Sequence, residues 1–278
     1  MTGSLTAEAA AAYARDGILF PFRAMSEADA AAALAKLEAL EAQDGGKLSK
    51  HSNQKPHLYA PWINEIVRNK AILDAVESVL GPDILCWGSG FFSKSPGDGT
   101  YITWHQDSTY WGLSGPDVIT AWVALTASTP ESGCMQVIPG THTVDQVPHR
   151  DTFAAGNLLS RGQEIAVEVD RNQAVDVILA PGEFSLHHVR IFHGSDPNNS
   201  PMRRTGFAIR YIPTRLSQTG PDRTSAFLVR GKDHFGHFAP EPIPAADRDP
   251  AALEFHRRTV DATLSVLYDG TGNTPVAM

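Results

Sequence analysis

Cysteine and positive charge are both scarce in this chain of 278 residues. The two cysteines, Cys86 and Cys134, lie in separate apolar segments that resemble strands, so we expect buried free thiols and no disulfide. Lysine and arginine together number 23 against 31 aspartates and glutamates, which gives a formal net charge of −8. Because binding a phosphate backbone needs a basic face, nucleic acid is not an expected partner.

Long apolar runs are also missing. No stretch approaches the length of a membrane span, and the first residues lack the charged-then-apolar layout of a signal peptide. We therefore expect a cytoplasmic protein with no membrane partner. Hydrophobic residues make up 42% of the chain and charged residues 19%, as in an ordinary globular protein. We expect one domain over residues 1–278, since single β-sandwich and barrel domains of this length are common.

Helix signals are concentrated in the first eighty residues. Thr6 can cap a short alanine-rich helix that stops near Gly17. Ser26, with Asp29 three residues later, resembles a capping box and opens a longer helix to about residue 43. A third helix should end at Gly81. The apolar positions that recur with helical spacing in the second helix are Ala30, Leu34, Leu37 and Leu40.

From residue 84 onward, short runs rich in β-branched and aromatic residues alternate with glycine, proline, asparagine and aspartate, which predicts short strands and turns. The candidate strands cover residues 84–87, 91–94, 100–107, 118–125, 135–138, 174–179, 183–186 and 206–212. We predict a mainly β fold with helices: a double-stranded β-helix (jelly-roll, cupin-like) core at about 83–213. A helical part at about 1–82 would buttress it, and 214–278 would form a loop-rich tail with a closing helix near 253–268.

One short motif carries the first chemical signal. In Trp104-His-Gln-Asp107, His105 and Asp107 are two residues apart, and on a strand such residues project to the same face. An imidazole and a carboxylate at this spacing supply two corners of an octahedral metal site. A second histidine would complete a 2-His-1-carboxylate facial triad and leave three positions open. By itself His-X-Asp is a weak pattern, because chance produces it often.

The segment from 186 to 204 supplies the context. It holds three histidines, His187, His188 and His193, any of which could be the second imidazole. Arg204 follows His193 by eleven residues (204 − 193), enough for a turn and the start of another strand. Arginine suits a dicarboxylate co-substrate because its planar fork donates two parallel hydrogen bonds. Arg203 is the alternative, and only one of the two can face the metal because neighbouring strand residues point to opposite sides.

These blocks resemble the phytanoyl-CoA dioxygenase family of iron(II)- and 2-oxoglutarate-dependent oxygenases, including its bacterial small-molecule hydroxylase branch. The resemblance covers roughly residues 84–213 and rests on the blocks Trp104-His-Gln-Asp107, Ala121-Trp-Val-Ala-Leu125, Glu131-Ser-Gly-Cys-Met135, Ile138-Pro-Gly-Thr-His142 and His193-Gly-Ser195 with Arg203-Arg204.

The resemblance assigns roles to particular residues. The implied iron(II) ligands are His105, Asp107 and His193. The implied contacts of 2-oxoglutarate are Arg204, Ser195, Lys94 and Trp122. In the halogenating relatives the carboxylate position is alanine or glycine, which frees an iron site for chloride. The aspartate at this position therefore favours hydroxylation.

The implied activity is a dioxygenase reaction that uses Fe(II), 2-oxoglutarate and O2, hydroxylates a small molecule and releases succinate and CO2. Desaturation, cyclisation or epimerisation at the same iron site stays open. From a different class, a non-redox cupin-like metal-binding module also stays open, although it has no need of a dicarboxylate clamp. The substrate is undecided among amino acids, aminophosphonates, polyketide or terpenoid intermediates and acyl thioesters; the acidic balance disfavours a long acyl-CoA.

Several other polar or aromatic residues have two interpretations. Tyr110 and Trp111 could line the substrate pocket or simply pack. The polar segment 51–57 could fold over the active site as a lid. Arg190 could meet an anionic substrate, but a surface salt bridge is the simpler expectation. The segment 215–237 is expected to be a solvated loop near the mouth of the pocket.

Overall fold

A computed structural model describes residues 4–219 and 224–267 of the chain. Its α-helices are α1 (Ala7–Asp16), α2 (Glu27–Gln43), α3 (Pro61–Val67), α4 (Lys70–Leu80) and α5 (Pro250–Leu267). Its strands are β1 (Ile18–Arg23), β2 (Ile84–Lys94), β3 (Ile102–His105), β4 (Ile119–Ala124), β5 (Met135–Ile138), β6 (His149–Asp151), β7 (Gln163–Ile165), β8 (Val175–Val177), β9 (Glu183–His188), β10 (Phe192–Ser195), β11 (Arg204–Pro213), β12 (Ser225–Arg230) and β13 (Ala239–Pro240). Over those two ranges, none of the helices has the length and apolar character to span a bilayer.

The strands form two main sheets. The larger has the order β1-β9-β4-β11-β2-β12-β13, and the smaller has the order β3-β10-β5-β8; β6 and β7 form a separate hairpin. All pairings in the two main sheets are antiparallel except that of β12 with β13. This agrees with the predicted β-helix core buttressed by amino-terminal helices.

The two faces of the large sheet have different neighbours because strand side chains alternate. Along β11, Phe207, Ile209 and Tyr211 are buried in the main hydrophobic core with the helices. Ala208 and Arg210 point the other way, into a cavity on the opposite face. The helices thus pack against one face of the large sheet, and the side chains of the other face are free to form a binding site.

The helix boundaries follow the predicted capping residues. The side chain of Thr6 accepts a hydrogen bond from Ala9 N, and Ser26 accepts one from Asp29 N. Gly17 takes the left-handed conformation that ends α1, where a residue with a Cβ is disfavoured. Both cysteines are free and buried, as expected.

The sequence prediction was wrong for some strands. Strand β1 lies inside the part expected to be helical and pairs with β9 at the edge of the large sheet. The predicted strands 91–94 and 84–87 are one continuous strand, β2. Strand β12 occupies part of the expected loop 215–237. The short apolar runs of β1 and β12 lack alternation, and only pairing with a neighbouring strand selects their conformation.

We predict that Gly206→Ala lowers the free energy of unfolding by about 1–3 kcal/mol, because a Cβ on β11 at that position would overlap the indole ring of Trp122. The measurement is equilibrium urea unfolding. Gly88→Ala is the matched control, since a Cβ there meets nothing within 4 Å on a neighbouring strand of the same sheet. Equal stabilities of the two variants would contradict the prediction.

Candidate active site

Two histidines face each other across a strand pair. Strand β10 pairs with β3 in a register that places His193 directly opposite His105. Their ring centroids are 4.0 Å apart. Both side chains are buried. Of the three histidines that the sequence left open, His193 is therefore the one that joins His105.

Asp107 reaches the same point by a different route from the one predicted. Strand β3 ends at His105, and Asp107 begins a 3₁₀ turn (Asp107–Tyr110), so the argument from strand alternation was wrong. The backbone N–H of Asp107 donates to Val189 O at 2.9 Å, which holds the turn against the β9–β10 connection. The carboxylate Oδ1 then lies 3.3 Å from His105 Nε2 and 4.0 Å from His193 Nε2.

Backbone carbonyls orient both imidazoles. His105 Nδ1 lies 2.9 Å from Thr103 O, and His193 Nδ1 lies 3.0 Å from Ile191 O, in each case two residues earlier. A carbonyl can only accept, so each Nδ1 carries the proton and each Nε2 keeps a free lone pair. Protein metal sites use this arrangement to fix the ligating nitrogen.

The three residues fit a divalent metal ion. Their ligand atoms all lie within 4.8 Å of one another. Ligands about 2.1 Å from an octahedral ion are about 3 Å from their neighbours, so small adjustments would close the site. Two imidazoles and one carboxylate on one side of an ion are the donor set of non-haem Fe(II) oxygenases.

The protonation states also suit metal binding. Burial lowers the pKa of His193 well below its ordinary value, so this imidazole is neutral. Burial alone would raise the pKa of the Asp107 carboxyl, but the adjacent His105 and His193 side chains hold it below its usual range. A neutral imidazole and an ionised carboxylate are the forms that bind metals.

A cationic clamp lies beside the triad. Arg204, the first residue of β11, is paired with Lys94, the last residue of β2, and both are buried. Lys94 Nζ donates to Ser195 Oγ at 2.6 Å, which ties the clamp to the strand that carries His193. The guanidinium of Arg204 stacks over Trp122 at 5.2 Å from the ring centroid. The four predicted co-substrate residues are thus together.

Arg203 does not compete for this role. Its guanidinium makes two hydrogen bonds to the Glu41 carboxylate at 2.6 and 2.7 Å, on the helix side of the sheet. Arg204 keeps a buried Nε without a hydrogen-bond partner among the described residues. Burial lowers the pKa of Arg204 to about 10, and burial together with the Arg204 charge lowers the pKa of Lys94 to about 7.

A cavity of about 50 Å³ joins the triad to the clamp. Its lining includes the triad, Arg204, Ser195 and Trp122. The sequence analysis missed two polar residues that also line it, Thr120 and Arg210; His187, one of its three candidate histidines, lines the cavity as well. Arg210 could have been found, because it shares the strand face of Arg204 at an even spacing. His187 Nε2 lies 3.9 Å from Asp107 Oδ2, outside the triad, and burial lowers its pKa to about 4.

The remaining candidates lie elsewhere. Trp111 packs against Trp87 with ring centroids 5.0 Å apart, which supports the packing interpretation; the Tyr110 side chain lies outside the described part. The segment 51–57 contributes nothing to the cavity lining: its buried Lys55 and His57 both contact Glu241. Arg190 forms the expected salt bridge, with Asp145.

Comparison with known proteins gives one consistent picture. The phytanoyl-CoA dioxygenase (PhyH) family model matches residues 5–206. A probable alpha-ketoglutarate-dependent hypophosphite dioxygenase of Stutzerimonas stutzeri is 32% identical over 162 residues, 57% of this chain and 55% of that protein. The L-proline trans-4-hydroxylase of Streptomyces griseoviridis is 25% identical over 243 residues, 78% of this chain and 90% of that protein. The match to the hypophosphite dioxygenase thus spans about half of that relative.

Solved structures extend the likeness to nearly the whole chain. The apo form of the non-heme monooxygenase ThoJ is 39% identical, with a TM-score of 0.83 over 93% of this chain and 96% of that one. Its nickel complex is 37% identical, with a TM-score of 0.77 over 92% and 97%. The chain belongs to the phytanoyl-CoA dioxygenase family, whose members are oxygenases dependent on iron(II) and 2-oxoglutarate.

We predict that Asp107→Ala weakens anaerobic Fe(II) binding by more than about 100-fold, because losing a ligand should cost more than losing an outer partner of one. Isothermal titration of metal-free protein measures this. His187→Asn is the matched control: it removes a buried polar side chain close to Asp107 but outside the triad, and should change affinity by less than about 10-fold. Equal losses in both variants would contradict the assignment.

Proposed function

We propose that this protein is a hydroxylase that uses Fe(II), 2-oxoglutarate and O2 to oxidise a small molecule. One observation carries the proposal: the His105, Asp107 and His193 triad opens into the same cavity as the buried Arg204 clamp. A metal triad alone would also suit a hydrolase or a sensor. A buried guanidinium with an unsatisfied Nε has a high desolvation cost, which an anionic co-substrate would offset.

Each residue has a defined task in this proposal. The triad would hold iron(II) on one side and leave the remaining positions free. Arg204 would bind the distal carboxylate of 2-oxoglutarate with its planar fork, and Ser195, held by Lys94, would accept or donate a further hydrogen bond. Trp122 would shield that carboxylate from water. When bound, the iron with 2-oxoglutarate and O2 supplies the oxidation, in which 2-oxoglutarate yields succinate and CO2 and the substrate gains oxygen.

Among the possible outcomes, hydroxylation is favoured over halogenation because Asp107 fills the position that a halide would need. Desaturation, cyclisation and epimerisation use the same iron site and differ in how the substrate is held. The cavity is small, about 50 Å³, which favours a compact substrate.

We further propose that residues 1–278 work as one domain in the cytoplasm, on a small molecule and with neither nucleic acid nor membrane as a partner. The main core supports the single domain, because residues of α2, α3 and α4 pack together with residues of β4, β9 and β11. The net charge of −8 supports the choice of partners.

The first test is an anaerobic titration of the metal-free protein with Fe(II) and 2-oxoglutarate, followed in the visible spectrum. We expect a weak charge-transfer band that appears only when both are added. Substrate candidates are then screened by succinate release. Binding of zinc with indifference to 2-oxoglutarate would refute the proposal in favour of the non-redox module.

Arg204→Gln should weaken 2-oxoglutarate binding by at least about 30-fold, since a buried charge-assisted pair contributes about 2–5 kcal/mol. The charge-transfer band measures the affinity. The control is Arg203→Gln, because Arg203 pairs with Glu41 on the other face of the sheet. This variant should keep its affinity for 2-oxoglutarate within about two-fold of wild type. The assignment fails if the two variants behave alike.

The affinity for 2-oxoglutarate should also depend on pH through Lys94. Burial and the charge of Arg204 lower its pKa to about 7, so the free protein loses this positive charge as the pH rises through 7. Binding a dianion favours the protonated amine, and the affinity should therefore fall from pH 7 toward pH 9. Lys94→Met should bind more weakly at pH 6.5 and show a flatter profile. A wild-type profile as flat as that of the variant would contradict this role.

A further inference from the structure

The cavity contains a second guanidinium that the proposed chemistry does not use. Arg210 lies on β11, on the same strand face as Arg204, and lines the cavity. The two residues are six positions apart, which corresponds to about 20 Å between their Cα atoms on an extended strand. Across the residues that the structure describes, the Arg210 side chain makes no hydrogen bond and no salt bridge, and its Nε is buried without a partner.

A polar row crosses the large sheet at Arg210. Arg210 is paired with Thr120 on β4 and with Gly88 on β2, and Thr120 is paired with His187 on β9. Paired residues of adjacent strands project to the same face. His187, Thr120 and Arg210 therefore form one row on the cavity side, and a Cβ built on Gly88 would meet only open space.

The row of Arg204 and Lys94 lies further along the same face. On β11 the residues between the two rows are Gly206 and Ala208; the indole ring of Trp122 covers Gly206, and Ala208 lines the cavity. The cavity lining thus contains two guanidiniums, each on its own row of paired residues.

The two guanidiniums also have different neighbours. Arg204 stacks over Trp122, whereas the Arg210 guanidinium lies over Phe92 at 5.5 Å and over Trp111 at 5.7 Å. The negative charge of Asp107 acts on Arg210, and the charge of Arg204 acts on Lys94. Two aromatic rings hold the Arg210 guanidinium in place and leave the edges of its fork for a ligand.

The charge balance leaves room for one more anion. Among the charged groups that line the cavity are two guanidiniums and one carboxylate, and a bound divalent ion brings their sum to three positive charges. The dianion of 2-oxoglutarate would neutralise two of these. At least one positive charge remains, or two where Lys94 is protonated, and a buried cation without a counter-charge is costly.

We propose that Arg210, with Thr120 and His187 beside it, binds an anionic group of the primary substrate, a carboxylate or a phosphorus oxyanion. The inference rests on the proposed function and narrows its substrate to compact anions or zwitterions. In this arrangement the fixed guanidinium holds the anionic end, and the C–H bond to be oxidised lies a few bonds away, toward the triad. Arg210 has the right chemistry to bind the inner carboxylate of 2-oxoglutarate as well. The experiment must therefore distinguish binding of the substrate anion from binding of the co-substrate.

The test uses the full chain loaded anaerobically with Fe(II) and 2-oxoglutarate. Methylphosphonate is the anionic probe and dimethyl methylphosphonate the neutral one, and tryptophan fluorescence reports binding because Trp111 lies against Arg210. Wild-type protein should bind the anion at least about 10-fold more tightly than the diester. Arg210→Gln should lose at least about 10-fold in affinity for the anion. Arg190→Gln, which removes an arginine of a salt bridge outside the cavity lining, should bind like wild type.

A second measurement identifies the source of the anion. Arg210→Gln should keep its affinity for 2-oxoglutarate, read from the charge-transfer band, within about three-fold of wild type. A loss as large as that of Arg204→Gln would assign Arg210 to the co-substrate and overturn the inference. Equal binding of the charged and neutral probes by wild type would overturn it as well, whichever variants fold.

Arg210→Lys covers the case in which the glutamine variant does not fold. Lysine keeps the charge and loses the fork, so methylphosphonate should bind about 3- to 10-fold more weakly, with 2-oxoglutarate unaffected; unchanged methylphosphonate binding would count against the inference.

The proposed function is judged separately, by the charge-transfer band of the wild-type protein. If that band is absent, the probes are applied to metal-free protein, where a loss specific to Arg210→Gln supports the anion site and no loss overturns it.

Discussion

The site depends on the pairing of β10 with β3. That pair brings together two histidines that are 88 positions apart in the chain (193 − 105) and sets them directly opposite each other. The turn after β3 then needs only one backbone hydrogen bond, from Asp107 to Val189 O, to bring the carboxylate to the same point. A shift of one residue in this register would turn His193 to the other face of its sheet.

The large sheet supplies everything else by alternation. One face of β4 and β11 is apolar and packs against the helices, which provides the burial that stabilises the domain. The other face carries Arg204, Arg210, Thr120 and Trp122 and is left with a cavity. Burying two guanidiniums costs desolvation free energy, and the large hydrophobic core on the opposite side of the same strands offsets that cost. Stability and binding are thus assigned to alternate residues of a strand.

Under the proposed function, the positions of the two guanidiniums would let one cavity hold two anionic groups at separate places. The Arg204 and Lys94 pair is tied by Ser195 to the strand of the distal histidine, which suits a ligand that also reaches the metal. Arg210 is held between aromatic rings nearer Asp107. A substrate bound there would meet a metal site whose co-substrate is already oriented by a separate group.

The sequence by itself indicated the family and the helix caps, and it named the seven residues that the structure brings together at the triad and the clamp, because short motifs and their spacing preserve the chemistry that a metal and a dicarboxylate need. It also predicted most of the strands of the core. It could not place β1 or β12, whose apolar runs become strands only through pairing. Its reason for placing Asp107 beside His105 was wrong, since a 3₁₀ turn and not strand alternation brings the carboxylate there. Residue spacing left His187, His188 and Arg203 open, and the resemblance could only imply His193 and Arg204. The tertiary structure shows that His193 lies opposite His105, and that Arg203 turns to Glu41 while Arg204 lines the cavity. Only the tertiary structure identifies Arg210 as a buried charge that lacks a partner. Whether a buried charge has a partner depends on contacts between distant strands, which no local sequence pattern records.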